Sequence, residues 1–138
     1  MRLMLDANIL FAALLRDGTA RRLLLEGDLD LHTPEWIWDE MTRNRAWLVA
    51  KSGANLASLE LLTGLLRDAV HDVPAAVTDR FLDQALRQVG PRNSADAPYV
   101  ATALALDATL WTQDKTLAKS SKITVVTTAE LVARLRES

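Results

Sequence analysis

The chain contains no cysteine. That single absence rules out disulfides, thiolate metal sites and a cysteine nucleophile, and it fits a reducing compartment. Excess positive charge is missing too. The formal net charge is −2, so any affinity for nucleic acid must come from local Arg and Lys or from bound cations. No stretch approaches the roughly 18 uncharged apolar residues of a membrane span. The start, MRLMLDANIL, is too short an apolar run, and too soon acidic, for a signal peptide. There is no internal repeat, low-complexity tract or Pro/Gly/Ser-rich linker. The expectation is one domain over residues 1–138, cytoplasmic and away from membranes. With 49% apolar and 25% charged residues, it has the composition of a soluble globular protein long enough to bury a core.

What is present is an alternation of strands and helices. RLML, 2–5, reads as a buried strand, followed by a helix over 7–16, a break at Asp17-Gly18 and a second helix to Glu26. Gly27 is expected to stop that helix in the left-handed conformation. A strand over 29–32 leads to Thr33 as N-cap and Pro34 at the first helical position. The spacing in LASLELLTGLLRDA predicts a helix over 56–69, then a short strand at 70–73. Thr78 is expected to cap a helix from Asp79 to Val89, which Gly90-Pro91 breaks, and Ser94 or Asp96 to cap the next, to Leu106. Strand 109–112, a brief helix at 115–119, strand 123–126 and a closing helix over 128–136 complete the chain. Five short apolar strands alternating with helices predict a three-layer α/β/α sandwich with a mainly parallel sheet.

In such sheets function sits outside the carboxyl ends of the strands. Asp6 falls there, directly after the first strand, and Asp114 falls just past TLWT. Two further acids lie on helices. In TPEWIWDEMTRNRAWL, residues Trp36, Ile37, Met41, Trp47 and Leu48 share one stripe, and Glu40 shares it with them. Trp38 lies off that stripe, either exposed at an interface or packed against a second surface. In SADAPYVATALAL the stripe Tyr99, Val100, Ala103, Leu104 runs back into Asp96 at the helix start. Asp107 lies about 16 Å further along that axis and reads as a helix terminator. Each acid has an ordinary explanation: Asp6 and Asp96 as helix caps, Glu40 as a partner of Asn44 or an arginine. All four facing one crevice is another matter, because carboxylates crowded together cannot all ionise without cations. An all-oxygen cluster suits Mg²⁺ or Mn²⁺, whereas zinc would want His or Cys. His32 and His71 are single and without ligand spacing.

LDANIL at the start, Glu40, and ADAPYVATALALDATLWTQD near the end together resemble the PIN-domain ribonucleases. The toxin ribonucleases of VapBC-type toxin–antitoxin pairs are the most numerous small examples. The resemblance spans essentially the whole chain and implies metal-dependent hydrolysis of RNA phosphodiesters. By motif position it implies that Asp6, Glu40, Asp96 and Asp114 hold Mg²⁺ or Mn²⁺, that Asn8 orients a water or Asp6, and that Thr112 supports the acids without binding metal. It also implies a parallel sheet ordered 3-2-1-4-5, a homodimer, an RNA substrate and an antitoxin partner. Two positions depart from the family pattern: Asp107 stands where glycine is frequent, a change that left-handed dihedrals of Asp accommodate, and TQDKTL lacks the common final aromatic. Arg43, Arg45, Arg92 and Lys115 are either RNA-backbone contacts or solvated surface.

Three other readings compete. A haloacid-dehalogenase-type phosphatase also places an Asp after its first strand, but wants a second acid where Asn8 stands. A receiver-like signalling module needs an Asp after the third strand, for which Asp72 is a weak candidate, and a lysine that VVTTAE does not supply. A PIN fold could also act without hydrolysis, as an RNA-binding or interaction scaffold.

Overall fold

In a computed structural model, which describes residues 1–114, 116–120 and 122–137, β1 (Arg2–Leu5) lies at the centre of one five-stranded sheet. Around it stand β2 (Asp30–Pro34), β3 (His71–Val73), β4 (Thr109–Trp111) and β5 (Val125–Val126), in the order β3-β2-β1-β4-β5. Every pairing is parallel. Leu3, Met4 and Leu5 are wholly buried, as a central strand covered on both faces requires.

The order of the strands dictates the layers. From β1 to β3 the chain steps in one direction, through α1 (Ala7–Leu15), α2 (Thr19–Glu26), α3 (Ile37–Arg43), α4 (Arg45–Ser52) and α5 (Leu56–Asp68). It then returns past β1 to β4 through α6 (Ala75–Val89), a 3-10 turn at Pro91–Asp96 and α7 (Ala97–Leu106). Right-handed crossovers put these two groups of helices on opposite faces. Accordingly α1 packs with α2, α4 and α5, while α6 packs along α7, which lies across β1, β2 and β4. The chain closes through α8 (Leu117–Ser120) and α9 (Thr128–Arg136), the latter opened by a Thr127–Glu130 capping box. The result is the three-layer α/β/α sandwich expected from the sequence.

Several local expectations differ from what forms. Gly27 has φ −77°, and the left-handed residue is Asp28, at φ 49°. Glycine serves Gly27 in another way: a Cβ there would stand 2.5 Å from the Leu23 carbonyl oxygen. Thr33 and Pro34 end β2 instead of opening a helix, since proline's missing N–H does no harm at a strand terminus and Glu35 N closes the ladder on Val73 O at 2.9 Å. Thr78 does not cap α6, which starts at Ala75. Glu35, forty residues away, accepts from Ala75 N at 3.0 Å, and the Thr78 hydroxyl instead meets that of Thr102 at 2.7 Å between α6 and α7. The expected single stripe from Trp36 to Leu48 is broken because the chain kinks at Asn44 (φ −98°, ψ 11°). That turn leaves Trp47 46% exposed. Trp38 is buried, its indole N–H on Asp72 Oδ1 at 2.7 Å and Arg67 over its ring, so the second packing surface exists. Asp107 terminates α7 in the left-handed conformation (φ 51°, ψ 48°), as expected.

Candidate active site

The strand order reverses between β1 and β4, and a crevice opens outside their carboxyl ends at such a switch point. Asp6 follows β1 there, and its backbone N–H extends the ladder onto Trp111 O. The opening acid both caps and is held. Asp6 Oδ1 accepts from Ile9 N at 3.1 Å, capping α1, while Oδ2 accepts from the Thr112 hydroxyl just beyond β4. Thr112 is buried, and its oxygen accepts in turn from Asp114 N at 3.1 Å. Asp114 Oδ1 receives the backbone N–H and hydroxyl of Thr116, at 3.0 and 2.6 Å.

Asp96 occupies the N-cap position of α7, but its side chain makes no capping hydrogen bond. The ordinary explanation for this residue therefore fails. Its carboxyl is held above the usual carboxylate range by partial burial and then by the charge of Asp114. Asp6 is likewise raised: burial dominates, Asp96 adds to it, and the Thr112 hydroxyl and the backbone N–H groups of Ile9 and Asn8 pull the other way. Three acids thus act on one another. Among the described residues none of these three forms an ion pair.

Glu40, on α3, bears on Tyr99. Burial raises that phenol far above its ordinary value, and the charges of Glu40, Asp6 and Asp96 raise it further. Glu40 also turns toward solvent, with Oε1 4.0 Å from Arg43, and Asn44 bonds its backbone carbonyl at 2.8 Å. The ordinary explanation holds for part of this residue. Asn8 supplies a backbone N–H to Asp6, and its side chain is exposed.

A PIN-domain family model matches residues 4–136. The chain belongs to the PIN-domain family. PIN domains are generally nucleases that use divalent metals, and the phosphatase and receiver readings lose their support. Against the curated proteins no match is found. Asp72, the residue on which the receiver reading leaned, is occupied by Trp38 and faces Arg67 at 3.8 Å.

Whether this PIN domain suits a cation can be judged from its donors. Asp6, Asp96 and Asp114 offer oxygen alone and crowd negative charge, which fits Mg²⁺ or Mn²⁺. Among the described residues, no three His, Cys, Asp or Glu side chains stand close enough together to hold an ion. Thr112, Thr116 and Arg43 take up the oxygens instead. Chemistry and field fit a cation; the coordination shell is not drawn together.

Tyr99 is a buried core residue on which the charges of Glu40, Asp6 and Asp96 bear. It sits on the apolar stripe of α7, edge-on to Trp36 with centroids 5.3 Å apart. Its three-residue offset from Asp96 was the available signal of that charge. Of the cations considered for RNA, Arg45 pairs with Glu60 at 2.9 Å, Arg43 is with Glu40, and Arg92 is exposed. Lys115 lies outside the described residues. His32 and His71 stack at 4.9 Å, with His32 Nε2 2.7 Å from Asp30 on the sheet and away from the acids' hydrogen bonds.

Proposed function

We propose that this PIN domain is a ribonuclease that hydrolyses RNA phosphodiester bonds with Mg²⁺ or Mn²⁺, and that it is the toxin of a VapBC-type toxin–antitoxin pair, acting as a cytoplasmic homodimer. The observation that supports the hydrolytic reading is the electrostatic influence of Asp96 on Asp6 and of Asp114 on Asp96, past the carboxyl ends of β1 and β4, with none of the three paired to an arginine or lysine among the described residues. The toxin role is supported by the resemblance of LDANIL, Glu40 and ADAPYVATALALDATLWTQD to the small toxin ribonucleases.

Asp6, Asp96 and Asp114, with Glu40, would hold the cation. When bound it supplies charge neutralisation at the phosphoryl oxygens and a more acidic water. Thr112 keeps one Asp6 oxygen and the chain at Asp114 in register. Asp96, without a capping bond, is the carboxylate free to accept the proton of an attacking water. Burial of Asp6, at 8% exposure, strengthens the electrostatic interactions it makes.

A second reading is a PIN scaffold that binds RNA or protein without cutting. The separated acid side chains favour it. Cleavage of a labelled structured-RNA pool with Mg²⁺ or Mn²⁺, against EDTA and Asp96→Asn, distinguishes the two. Cutting that needs both the metal and Asp96 is the expected result. Binding without metal-dependent cutting assigns the scaffold role, and cutting indifferent to Asp96 overturns the site.

A further inference from the structure

A groove of about 830 Å³ runs between α1, α2 and α9. Ile9, Gln113 and Thr128 line the end of it, here called the mouth, that lies toward the carboxyl edge of the sheet. Ile9 supplies the N–H that Asp6 accepts, and Gln113 lies between Thr112 and Asp114 in the chain, its Oε1 receiving Thr128 N at 2.9 Å. Both α1 and α9 begin at the carboxyl edge of the sheet and run away from it. Arg16 and Arg136 therefore lie at the far end, about 10 Å from the mouth at 1.5 Å per residue. Arg22 lines the α2 wall, and the floor is apolar.

The charge in this groove is unlike that of the rest of the molecule. Three guanidinium groups face one carboxylate, Glu26, in a chain whose net charge is −2. All three arginines are exposed, and among the described residues none forms an ion pair, whereas Arg43 and Arg45 are both paired. A site made of carboxylates repels the phosphodiester it is to receive, so the binding energy for a polyanion must come from beside it. Guanidinium groups suit phosphate oxygens, and an apolar floor suits sugar and base faces.

We propose that this groove is the track along which a single-stranded stretch of RNA is held, with its phosphates on Arg16, Arg22 and Arg136 and its next phosphodiester delivered past Gln113 to the acids. The assignment rests on the ribonuclease reading. Affinity set here is independent of base sequence, because guanidinium–phosphate contacts position a strand without reading it.

The test is binding of a labelled single-stranded RNA to the full chain in EDTA, followed by steady-state cleavage with Mn²⁺. The variants are Arg16→Gln/Arg22→Gln/Arg136→Gln, its three single substitutions, and Arg80→Gln/Arg87→Gln, which removes charge from α6. The triple variant is expected to bind about tenfold or more weakly, with the slope of log K against log salt shallower by roughly 2. KM should rise in parallel while kcat changes much less, the single variants should each show part of the loss, and the α6 variant should match wild type. RNA binding and KM unchanged in the triple variant, or an equal loss in the α6 variant, overturn the groove assignment while leaving the nuclease reading standing. A triple variant that loses self-association and keeps its RNA affinity gives the groove to a second copy, and also overturns it. Arginine-dependent binding by a wild-type protein that cuts nothing with either metal keeps the groove and overturns the nuclease.

Discussion

The Thr112 hydroxyl donates to Asp6 across 106 residues of sequence. Because the same oxygen accepts Asp114 N at 3.1 Å, one hydroxyl joins the acid after β1 to the chain that carries the acid after β4. Thr112→Val keeps the shape and removes both bonds. Cleavage and Mn²⁺ affinity should fall by about 10- to 100-fold, the range for losing a partner that orients a ligand. Stability should drop by about 1–3 kcal/mol for the stranded N–H and carboxylate. Thr112→Ser should restore most of both, as read by kinetics and urea unfolding.

Asp96 is a stability liability in the metal-free protein. Its carboxyl is raised by burial and by Asp114, so its ionised form is less favoured in the folded chain than in the unfolded one. Asp96→Asn should therefore abolish cleavage and yet raise Tm in EDTA by a degree or two, a figure kept small because the group is only partly buried. Mn²⁺ should raise the Tm of wild type, by up to about 2.7 kcal/mol of stabilisation at a hundredfold excess over Kd, and leave the variant nearly unmoved. A lower Tm for the variant in EDTA would contradict the crowding of these acids.

The pH dependence has a definite sign. Asp6 and Asp96 bind protons more tightly when folded, so metal-free stability falls as pH rises from the unfolded carboxylate value through their raised values. Asp30, lowered first by its hydrogen bond with His32, works the other way, its contribution being lost only as pH falls below the ordinary range. Urea unfolding between about pH 4 and 7 should show a downward slope attributable to the first pair. Asp6→Asn/Asp96→Asn should flatten it. Metal affinity should rise over the same interval as the protons leave.

The sheet and two of the acids were legible because their signals are local. An apolar run ending on a carboxylate marks both Asp6 and Asp114, and period and alternation suffice for five strands and their layering. Long-range partners were what misled. Nothing near Ala75 announces that Glu35 caps it, and so Thr78 attracted the assignment. A helical stripe drawn straight through Asn44 put Trp47 on the buried face, since a kink in mid-run resets the phase of the period. The charges bearing on Tyr99 were hidden for a related reason, because Glu40 and Asp6 come from segments far from it in the chain. The arginine groove draws on three helices and could not be read from any one of them.

Backbone positions give a further check on the fold. Asp107 ends α7 at φ 51°, where a side chain other than glycine is disfavoured, and Asp107→Gly should stabilise by up to about 1 kcal/mol. Gly64 lies exposed inside α5 with nothing within 4 Å of an added Cβ, so Gly64→Ala should stabilise by a similar amount, about 0.8–1 kcal/mol. Gly27→Ala should destabilise, since its methyl would meet the Leu23 carbonyl. Thermal melts of the three variants, one expected to move against the other two, check all of these positions.

The central position of β1 has a consequence for biosynthesis. Leu3, Met4 and Leu5 pair with Thr109, Leu110 and Trp111, so β1 leaves the ribosome about a hundred residues before that partner strand. Until Thr112 emerges, Asp6 has no hydroxyl to hold its second oxygen, and Asp96 and Asp114 are not beside it. A nascent or truncated chain therefore carries no assembled crevice. On the proposed ribonuclease reading, the RNA of the translating ribosome meets these acids as a set only once β4 has been made and docked.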